Sequence, residues 1–412
     1  MPNKTVAGLL PNEWKGVLLK KISKIVRGSS PRPAGSPVYF NGDFLPWITV
    51  AEITSNESMF IYKTKTRLTK EGAKHTRITP PDTLMLSNSG ATLGIPKISK
   101  IKSGANDGIA MIIDIKGAEK EYLYYHLLSK TEYLRRAVAS GVGQPNLNTD
   151  LIGDLPLPLP PLSEQKKIAA ILSTWDRAIE GTEKLLANSQ QQKKALMQQL
   201  LTGKKRLPGF SGEWSTVAFR EIGKCIRGVT YKPDNLDAPQ SYVLLRANNI
   251  QNGKISYSDT IKVDSKIVKK EKILSNGDIF ICMANGSKNL VGKSAYYSGE
   301  KPIETVGSFC SIFRTNKSSS PRFIFSLFES TFYRDKIEII LSGTSINNLK
   351  PSDIEGMYWF IPPLPEQKAI AAVLTTADEE ITTLESDLSR LRQEKKALMQ
   401  QLLTGKRRVR VN

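Results

Sequence analysis

Cysteine and histidine are scarce in this chain, which limits the chemistry it can carry out by itself. It has three cysteines, Cys225, Cys282 and Cys310, and two histidines, His75 and His126. An odd number of cysteines without C-x-x-C spacing argues against a disulfide framework and a zinc site, and it indicates a cytoplasmic setting. With so few histidines, the sequence predicts no metal centre and no histidine base.

Long apolar stretches are missing as well. No run approaches the ~18 apolar residues that span a bilayer, and the N-terminus lacks the sustained apolar core of a signal peptide. We therefore expect no membrane partner. A length of 412 residues with 40% apolar residues suits two or three globular domains, each with its own core.

Complete catalytic motifs are also lacking. GSKNLVGKS (286–294) resembles a P-loop, but five residues separate its glycines where four are required. Asp234, Asp264 and Lys266 could form a nuclease-like set, although spacing this permissive is common by chance. The chain is therefore predicted to be non-catalytic, and a metal-dependent nuclease using these three residues stays an alternative.

Acidic residues are few relative to basic ones. The chain has 59 Lys and Arg against 39 Asp and Glu, a formal net charge of +20. Such an excess favours a polyanionic partner, with nucleic acid ahead of a membrane surface. Residues 15–150 and residues 215–352 share the positive charge almost equally.

A long internal repeat dominates what the sequence does contain. KKALMQQLLTGK occurs at 193–204 and again at 395–406 without a single change. Three further pairs align at nearly the same offset: LPPLSEQKKIAAIL with IPPLPEQKAIAAVL, GVGQPNL with GTSINNL, and EWKGVLLKKISKIVRG with EWSTVAFREIGKCIRG. Each half thus has a constant beginning, a variable middle and a constant end. Two copies do not make a solenoid, which needs three or more.

The constant ends predict two long helices, over 166–201 and 368–403. Pro-Pro precedes each segment and Thr-Gly follows it, as expected for a helix start and a glycine C-cap. About 36 residues give each helix roughly 54 Å of length. Apolar residues at heptad spacing predict a coiled-coil seam. Lys193 interrupts it in the first copy and Lys395 in the second, and Thr182 and Ser189 weaken it in the first copy. The seam residues are Ile168, Leu172, Trp175, Ile179, Leu186, Leu196 and Leu200, then Ile370, Leu374, Ile381, Leu384, Leu388, Leu391, Leu398 and Leu402.

The variable middles look mixed α/β. Short β-rich runs such as TLMLS (83–87) and DIFICM (278–283) alternate with turn residues, and a helical run follows near the end of each middle. The predicted fold class is α+β, with two mixed α/β domains in a tandem pseudo-symmetric repeat, separated and joined by two long antiparallel coiled-coil helices. The predicted boundaries are 1–158 and 205–360 for the domains, and 159–204 and 361–412 for the helices.

Basic clusters and amide side chains in the middles suit nucleic-acid recognition. Lys and Arg contact phosphates and give salt dependence, whereas Asn and Gln pair with adenine and Arg with guanine. For each residue the alternative is a solvated surface or an ordinary turn. The candidates in the first half are Lys63, Lys65, Arg67, Lys70, Lys74, Arg77, Asn88, Gln144 and Asn146. Those in the second half are Arg246, Asn248, Asn249, Lys266, Lys269, Lys270, Asn285, Lys288, Asn289, Asn347 and Asn348.

The order of these segments resembles the specificity subunit of type I restriction-modification enzymes. It consists of a variable domain, the constant segment PLPPLSEQKKIAAIL…KKALMQQLLTGK, a second variable domain and a second copy of the constant segment. The resemblance covers essentially the whole chain. It implies that each variable domain is a target recognition domain for one half of a split double-stranded DNA site. It implies that the helices space the domains and dock two modification subunits. S-adenosylmethionine, and ATP with Mg for a restriction subunit, would then be bound by the partners and not by this chain.

Two consequences follow for the DNA site. A helix of roughly 54 Å could hold the two domains about one to one and a half DNA turns apart. Because the middles differ, the two half-sites are expected to differ and the whole site to be asymmetric. A coiled-coil scaffold with incidental charge stays a further alternative.

Overall fold

The structure is a computed structural model of the chain, and it forms two compact units. The first unit consists of Met1–Lys184 and Ser386–Asn412, and the second of Leu185–Glu385. Both divisions fall inside a long helix, whereas the sequence-based boundaries fall at the helix ends. The residues described are 3–90, 92–138, 146–236, 238–299, 303–343 and 347–410.

The first unit is built on two sheets. The larger sheet has the strand order Lys24–Arg27, Ile109–Ile113, Thr83–Ser87, Pro96–Ser99, Phe60–Ile61. The smaller sheet has the order Thr66–Leu68, Phe40–Ile48, Ser103–Ala105, Ile78–Thr79. The central strand Thr83–Ser87 is buried on both faces, because Leu84 and Leu86 pack with the helix Lys120–Val138 while Met85 packs with the smaller sheet. That explains why this strand is continuously apolar instead of alternating.

The second unit repeats this plan. Its sheets have the orders Gly223–Arg227, Cys310–Thr315, Ile279–Cys282, Ser294–Tyr296 and Ile261–Asp264, Ser241–Leu245, Glu304–Val306. Two helices, Pro321–Glu329 and Thr331–Ser342, stand where the first unit has one. Equivalent positions follow from the strand pairing, since Ser87 opposite Ile109 corresponds to Cys282 opposite Cys310.

Short elements complete both units. The shorter strands are Asn3–Thr5, Gly8–Leu10, Lys15–Leu18, Pro156–Leu159, Ser215–Ala218, Ile250–Gln251, Lys254–Ile255 and Tyr358–Ile361. The short α-helices are Val50–Thr54, Lys70–Lys74, Thr149–Gly153, Phe219–Ile222 and Pro351–Glu355. The 3₁₀ turns are Leu19–Lys21, Pro233–Asn235, Ala247–Asn249, Ser265–Ile267, Lys270–Lys272 and Lys288–Leu290.

The two long helices are Leu162–Leu200 and Leu364–Leu402, each of 39 residues. Both begin before the predicted residue because the tetrapeptides LSEQ and LPEQ form the first turn, where proline is tolerated. Gly203 and Gly405, just beyond the helix ends, have φ values of 70° and 72°, the left-handed conformation of a glycine C-cap. Among the described residues, no helix is long and apolar enough to cross a membrane.

The Glu-Gln pair in this first turn is buried and performs the same two tasks in each unit. Glu164 accepts hydrogen bonds from Trp14 Nε1 at 3.1 Å and Arg408 Nε at 2.7 Å. Glu366 accepts from Trp214 Nε1 at 3.2 Å and Arg206 Nε at 2.9 Å.

The neighbouring glutamines bind backbone groups. The Oε1 atom of Gln165 accepts from the Glu119 amide at 2.8 Å, and that of Gln367 accepts from the Ser320 amide at 2.9 Å. Both amides lie at the start of a helix of the variable middle, where backbone N–H groups lack helical partners. Through these hydrogen bonds, the Glu-Gln motif at the start of each long helix connects the variable middle of the unit to its constant segments.

Within each unit, the two long-helix segments run antiparallel. In the first unit Lys395 pairs with Asp176, and Arg392 pairs with Glu183 at 2.7 Å. In the second unit Lys193 pairs with Asp378 at 2.6 Å. All fifteen predicted seam residues are buried or half-buried. The predicted antiparallel α+β architecture is confirmed.

Lys193 is a charged residue inside a largely apolar seam. Its side chain is only 14% exposed and its Nζ lies 3.2 Å from Glu329 Oε2. Burial opposes its charge, but Glu329 and Asp378 outweigh that effect, so the pKa of Lys193 lies above its ordinary value. Burial also raises the pKa of Glu329, and the attraction of Lys193 offsets this only in part. A polar seam position satisfied by particular partners favours one helix register over others.

Replacing Lys193 by Met should destabilise the protein by about 2 kcal/mol at neutral pH, less than for a fully buried pair because the Asp378 side chain is 42% exposed. Without the lysine, the folded-state pKa of Glu329 rises further, so stability is lost as the pH rises through that pKa. The loss measured by urea unfolding should therefore be larger at about pH 8 than at about pH 5. Lys194→Met, at an exposed position of the same helix, is the control. A pH-independent loss would contradict the expectation.

Candidate nucleic-acid interface

The basic residues predicted in the first unit lie on its surface. Lys63, Lys65, Arg67, Lys70, Lys74 and Arg77 are all exposed, on or beside the edge strand Thr66–Leu68 and the helix Lys70–Lys74. Two of them have local partners, since Arg67 Nε donates to the Asp43 carbonyl at 2.9 Å and Lys74 pairs with Glu71 at 2.7 Å. Within the described ranges, the other four make no ion pair and are available for an external anion.

The basic cluster of the second unit is carried by two tight turns. Lys266, Lys269 and Lys270 are exposed and follow the strand Ile261–Asp264. Asp264 caps the first turn by accepting from the Lys266 amide at 2.9 Å. Its carboxylate therefore has a structural use that accounts for its position. In the described part of the chain, no three His, Cys, Asp or Glu residues lie close enough to hold a metal ion.

The ends of the central strands bring several predicted amide residues together. In the first unit the Asn88 amide donates to the Gly108 carbonyl at 2.9 Å, and Ser89 forms a β-bridge with Asn146. In the second unit the Met283 amide donates to the Phe309 carbonyl at 2.8 Å, and Ala284 bridges to Asn348.

We call this edge the strand-end face of each unit. It comprises residues 88–90, 106–108 and 146 in the first unit, and residues 283–286, 307–309 and 347–348 in the second. Asn146 and Asn348 are exposed on it, whereas Asn285 and Asn347 are half-buried. Within each unit, the fold thus places on one surface several of the amide residues that the sequence predicts to contact bases.

Two predicted base-contacting residues are not on the surface. Asn88 is 0% exposed, and within the described part of the chain neither the nitrogen nor the oxygen of its side-chain amide has a hydrogen-bond partner. Asn249 is 1% exposed, and its amide nitrogen donates to the carbonyls of Ser256 at 2.8 Å and Asp259 at 3.0 Å. Neither side chain is exposed on the surface of the chain, because the fold encloses both and also hydrogen-bonds that of Asn249.

The remaining candidates differ in how free they are. Arg246 and Asn248 both bind the Asp259 carboxylate, at 2.9 and 2.8 Å. Lys288 and Asn289 are exposed on the turn Lys288–Leu290. Gln144 lies outside the described residues.

One residue of the strand-end face was missed by the sequence analysis. Phe309 is 70% exposed although it directly precedes the buried strand Cys310–Thr315. In sequence, a phenylalanine beside an apolar run indicates core. The signal that distinguishes it is its equivalence to Gly108, which only the strand register reveals.

Asn88→Met should stabilise the protein by about 1–2 kcal/mol, because it removes an unpaired buried amide. The second unit already has a methionine, Met283, at the equivalent position. Urea unfolding measures the change. Asn249→Met is the matched control and should be destabilising, since that amide is fully bonded. A destabilised Asn88→Met variant would contradict this expectation.

Replacing Lys266, Lys269 and Lys270 together by Gln should weaken binding of every duplex DNA to a similar extent. The slope of log affinity against log salt should fall by up to ~2.7, since each phosphate contact contributes ~0.9. Filter-binding titrations at several salt concentrations measure it. Lys317→Gln, at another exposed position of the second unit, should leave the slope unchanged. An unchanged slope in the triple variant would place the phosphate contacts elsewhere.

Known proteins resemble this chain in sequence and in structure. The type I restriction enzyme StySPI specificity subunit of Salmonella potsdam is 38% identical over 196 residues, which is 47% of this chain and 42% of that subunit. The chain thus spans less than half the length of that relative. The MjaIX specificity subunit of Methanocaldococcus jannaschii is 25% identical over 98% of this chain and 96% of its own length. The crystal structure of a type I S subunit from M. genitalium has a TM-score of 0.63 at 14% identity, covering 97% of this chain and 99% of that one, and it shows the shared fold.

A family model matches both halves of the chain. The type I restriction modification DNA specificity domain fits residues 11–188 and residues 211–391. Each match takes in one variable middle and part of one long helix. The resemblance drawn from the repeated PPL-x-EQ helix openings is therefore confirmed, and the chain belongs to the family of type I restriction modification DNA specificity domains.

Proposed function

We propose that this chain is the non-catalytic specificity subunit of a type I restriction-modification complex and reads a bipartite DNA site, one half-site per unit. The observation that carries the proposal is the strand-end face, which has a corresponding backbone hydrogen bond and β-bridge in both units but differs in its side chains. Asn146 corresponds to an identical residue, Asn348, whereas Gly108 corresponds to Phe309. Corresponding backbone hydrogen bonds with different side chains suit two units that recognise different half-sites.

The division of labour between side chains follows from their chemistry. Exposed lysines such as Lys65 and Lys269 would contact phosphates, which fixes position and supplies affinity without sequence information. Exposed amides such as Asn146 and Asn348 would contact base edges, where an asparagine pairs with adenine. Because the two sets of amides differ in their neighbours, the recognised site is asymmetric.

The long helices would set the unread spacer between the half-sites. Each is one continuous helix that begins in one unit and ends in the other. Lys193 and Lys395, each bound to an aspartate of the opposite helix, favour a single register. By resemblance to the family, the same helices dock two modification subunits that bind S-adenosylmethionine, and restriction subunits would bring ATP with Mg.

The test is selection from random duplexes by the chain purified with its modification subunits, followed by sequencing of the bound DNA. Two different conserved blocks separated by a fixed unread spacer would support the proposal. A single continuous motif, or no motif, would contradict it. Exchanging the second variable middle for that of a relative should change one block and leave the other unchanged.

Lengthening the helices gives a quantitative form of this test. One heptad inserted after Lys184 and one after Glu385 keep the seam pattern and lengthen each helix by about 10.5 Å. The selected spacer should grow by about three base pairs, given 3.4 Å per pair. A heptad in only one helix breaks the seam pairing and serves as the control. An unchanged spacer with both insertions would show that the helices do not set it.

A further inference from the structure

Phe309 exposes a large apolar ring on an otherwise polar surface. It is 70% exposed, whereas Phe280, Phe313 and Phe323 of the same unit are completely buried. Around it on the strand-end face lie Asn348 and the half-buried amides Asn285 and Asn347. A ligand that covers the ring removes its apolar surface from water, which favours binding.

The backbone around Phe309 is fixed by hydrogen bonds. Its carbonyl accepts hydrogen bonds from the amides of Met283 at 2.8 Å and Ala284 at 3.1 Å. The next amide, of Cys310, closes a turn onto the Gly307 carbonyl at 2.8 Å. A Cβ atom at Gly228 would lie 2.2 Å from the Gly307 carbonyl oxygen, so the turn is also closely packed against Gly228. The exposed ring is thus presented by a fixed turn.

The first unit has no such ring and no space for one. Gly108 occupies the equivalent position, because its carbonyl accepts from Asn88 as that of Phe309 accepts from Met283. A Cβ atom on Gly108 would lie 2.8 Å from Ser89 Oγ and from Val50 Cγ2. In the second unit Ala284 replaces the serine. The residue next to this position therefore also differs between the units, with the larger serine beside Gly108 and the smaller alanine beside Phe309. The two strand-end faces differ in shape as a result.

We propose that Phe309 recognises a thymine, through its C5-methyl group, in the half-site bound by the second unit. This inference rests on the proposed function. The thymine methyl is the apolar group on the major-groove edge, and aromatic rings contact it there. The exposed Asn348 beside it suits adenine, whereas Asn285 and Asn347 bind the Ser287 amide and the Gly286 carbonyl. One surface patch can therefore recognise A·T pairs on both strands. Methyl and ring would each lose contact with water.

The experiment uses the chain in complex with its modification subunits and duplexes carrying its selected site. Each thymine of the second half-site is replaced in turn by deoxyuridine, which removes only the methyl group. At one position the substitution should weaken binding about fourfold, the effect of burying one methyl group. Phe309→Ala should bind the thymine duplex more weakly and no longer distinguish it from the deoxyuridine duplex.

Phe360→Ala is the matched control, since Phe360 is 51% exposed on the strand Tyr358–Ile361 of a different sheet. That variant should retain the deoxyuridine effect. The inference is overturned if the second half-site contains no thymine, if deoxyuridine is tolerated at every position, or if Phe309→Ala still discriminates. An equal loss on both duplexes would make the ring a wedge between bases and would also overturn it. A specific site without a methyl effect refutes this inference alone, whereas the absence of any specific site refutes the proposed function too.

Discussion

The core of each unit is closed by the last turns of a long helix that begins in the other unit, and the rest of the architecture depends on this packing. Met399, Leu402 and Leu403 pack into the core around Trp14, and Leu200 and Leu201 pack into the core around Phe219. A long amphipathic helix is stable in water mainly through the surface it buries. Each helix therefore has two burial sites, one at either end.

Buried charge makes that packing specific. Glu164 and Glu366 are each 1% exposed, and each is held by a tryptophan and an arginine from other constant segments. An unpaired buried carboxylate is costly, so the three groups of each cluster must change together or not at all. This accounts for the glutamate and the tryptophan that both copies of the constant segments retain, while Arg206 and Arg408 each lie two residues beyond a copy of KKALMQQLLTGK.

The variable middles are free of that constraint where they meet solvent. Gly108 and Phe309 show how far side chains diverge on one pattern of backbone hydrogen bonds. A rigid frame with variable strand ends is a common arrangement for recognition sites, because binding residues can change without disturbing the core.

The order of amino acids alone determines the two-unit repeat, the two long helices and their glycine caps, since heptad spacing and C-cap chemistry are local properties. It also identifies the surface lysines and most of the strand-end amides. Only the tertiary structure decides that the unit boundary lies within the helices, that Asn88 and Asn249 are enclosed, and that Phe309 is exposed. Burial depends on residues distant in sequence, and the strand register that relates Phe309 to Gly108 is set by hydrogen bonds that no local pattern contains.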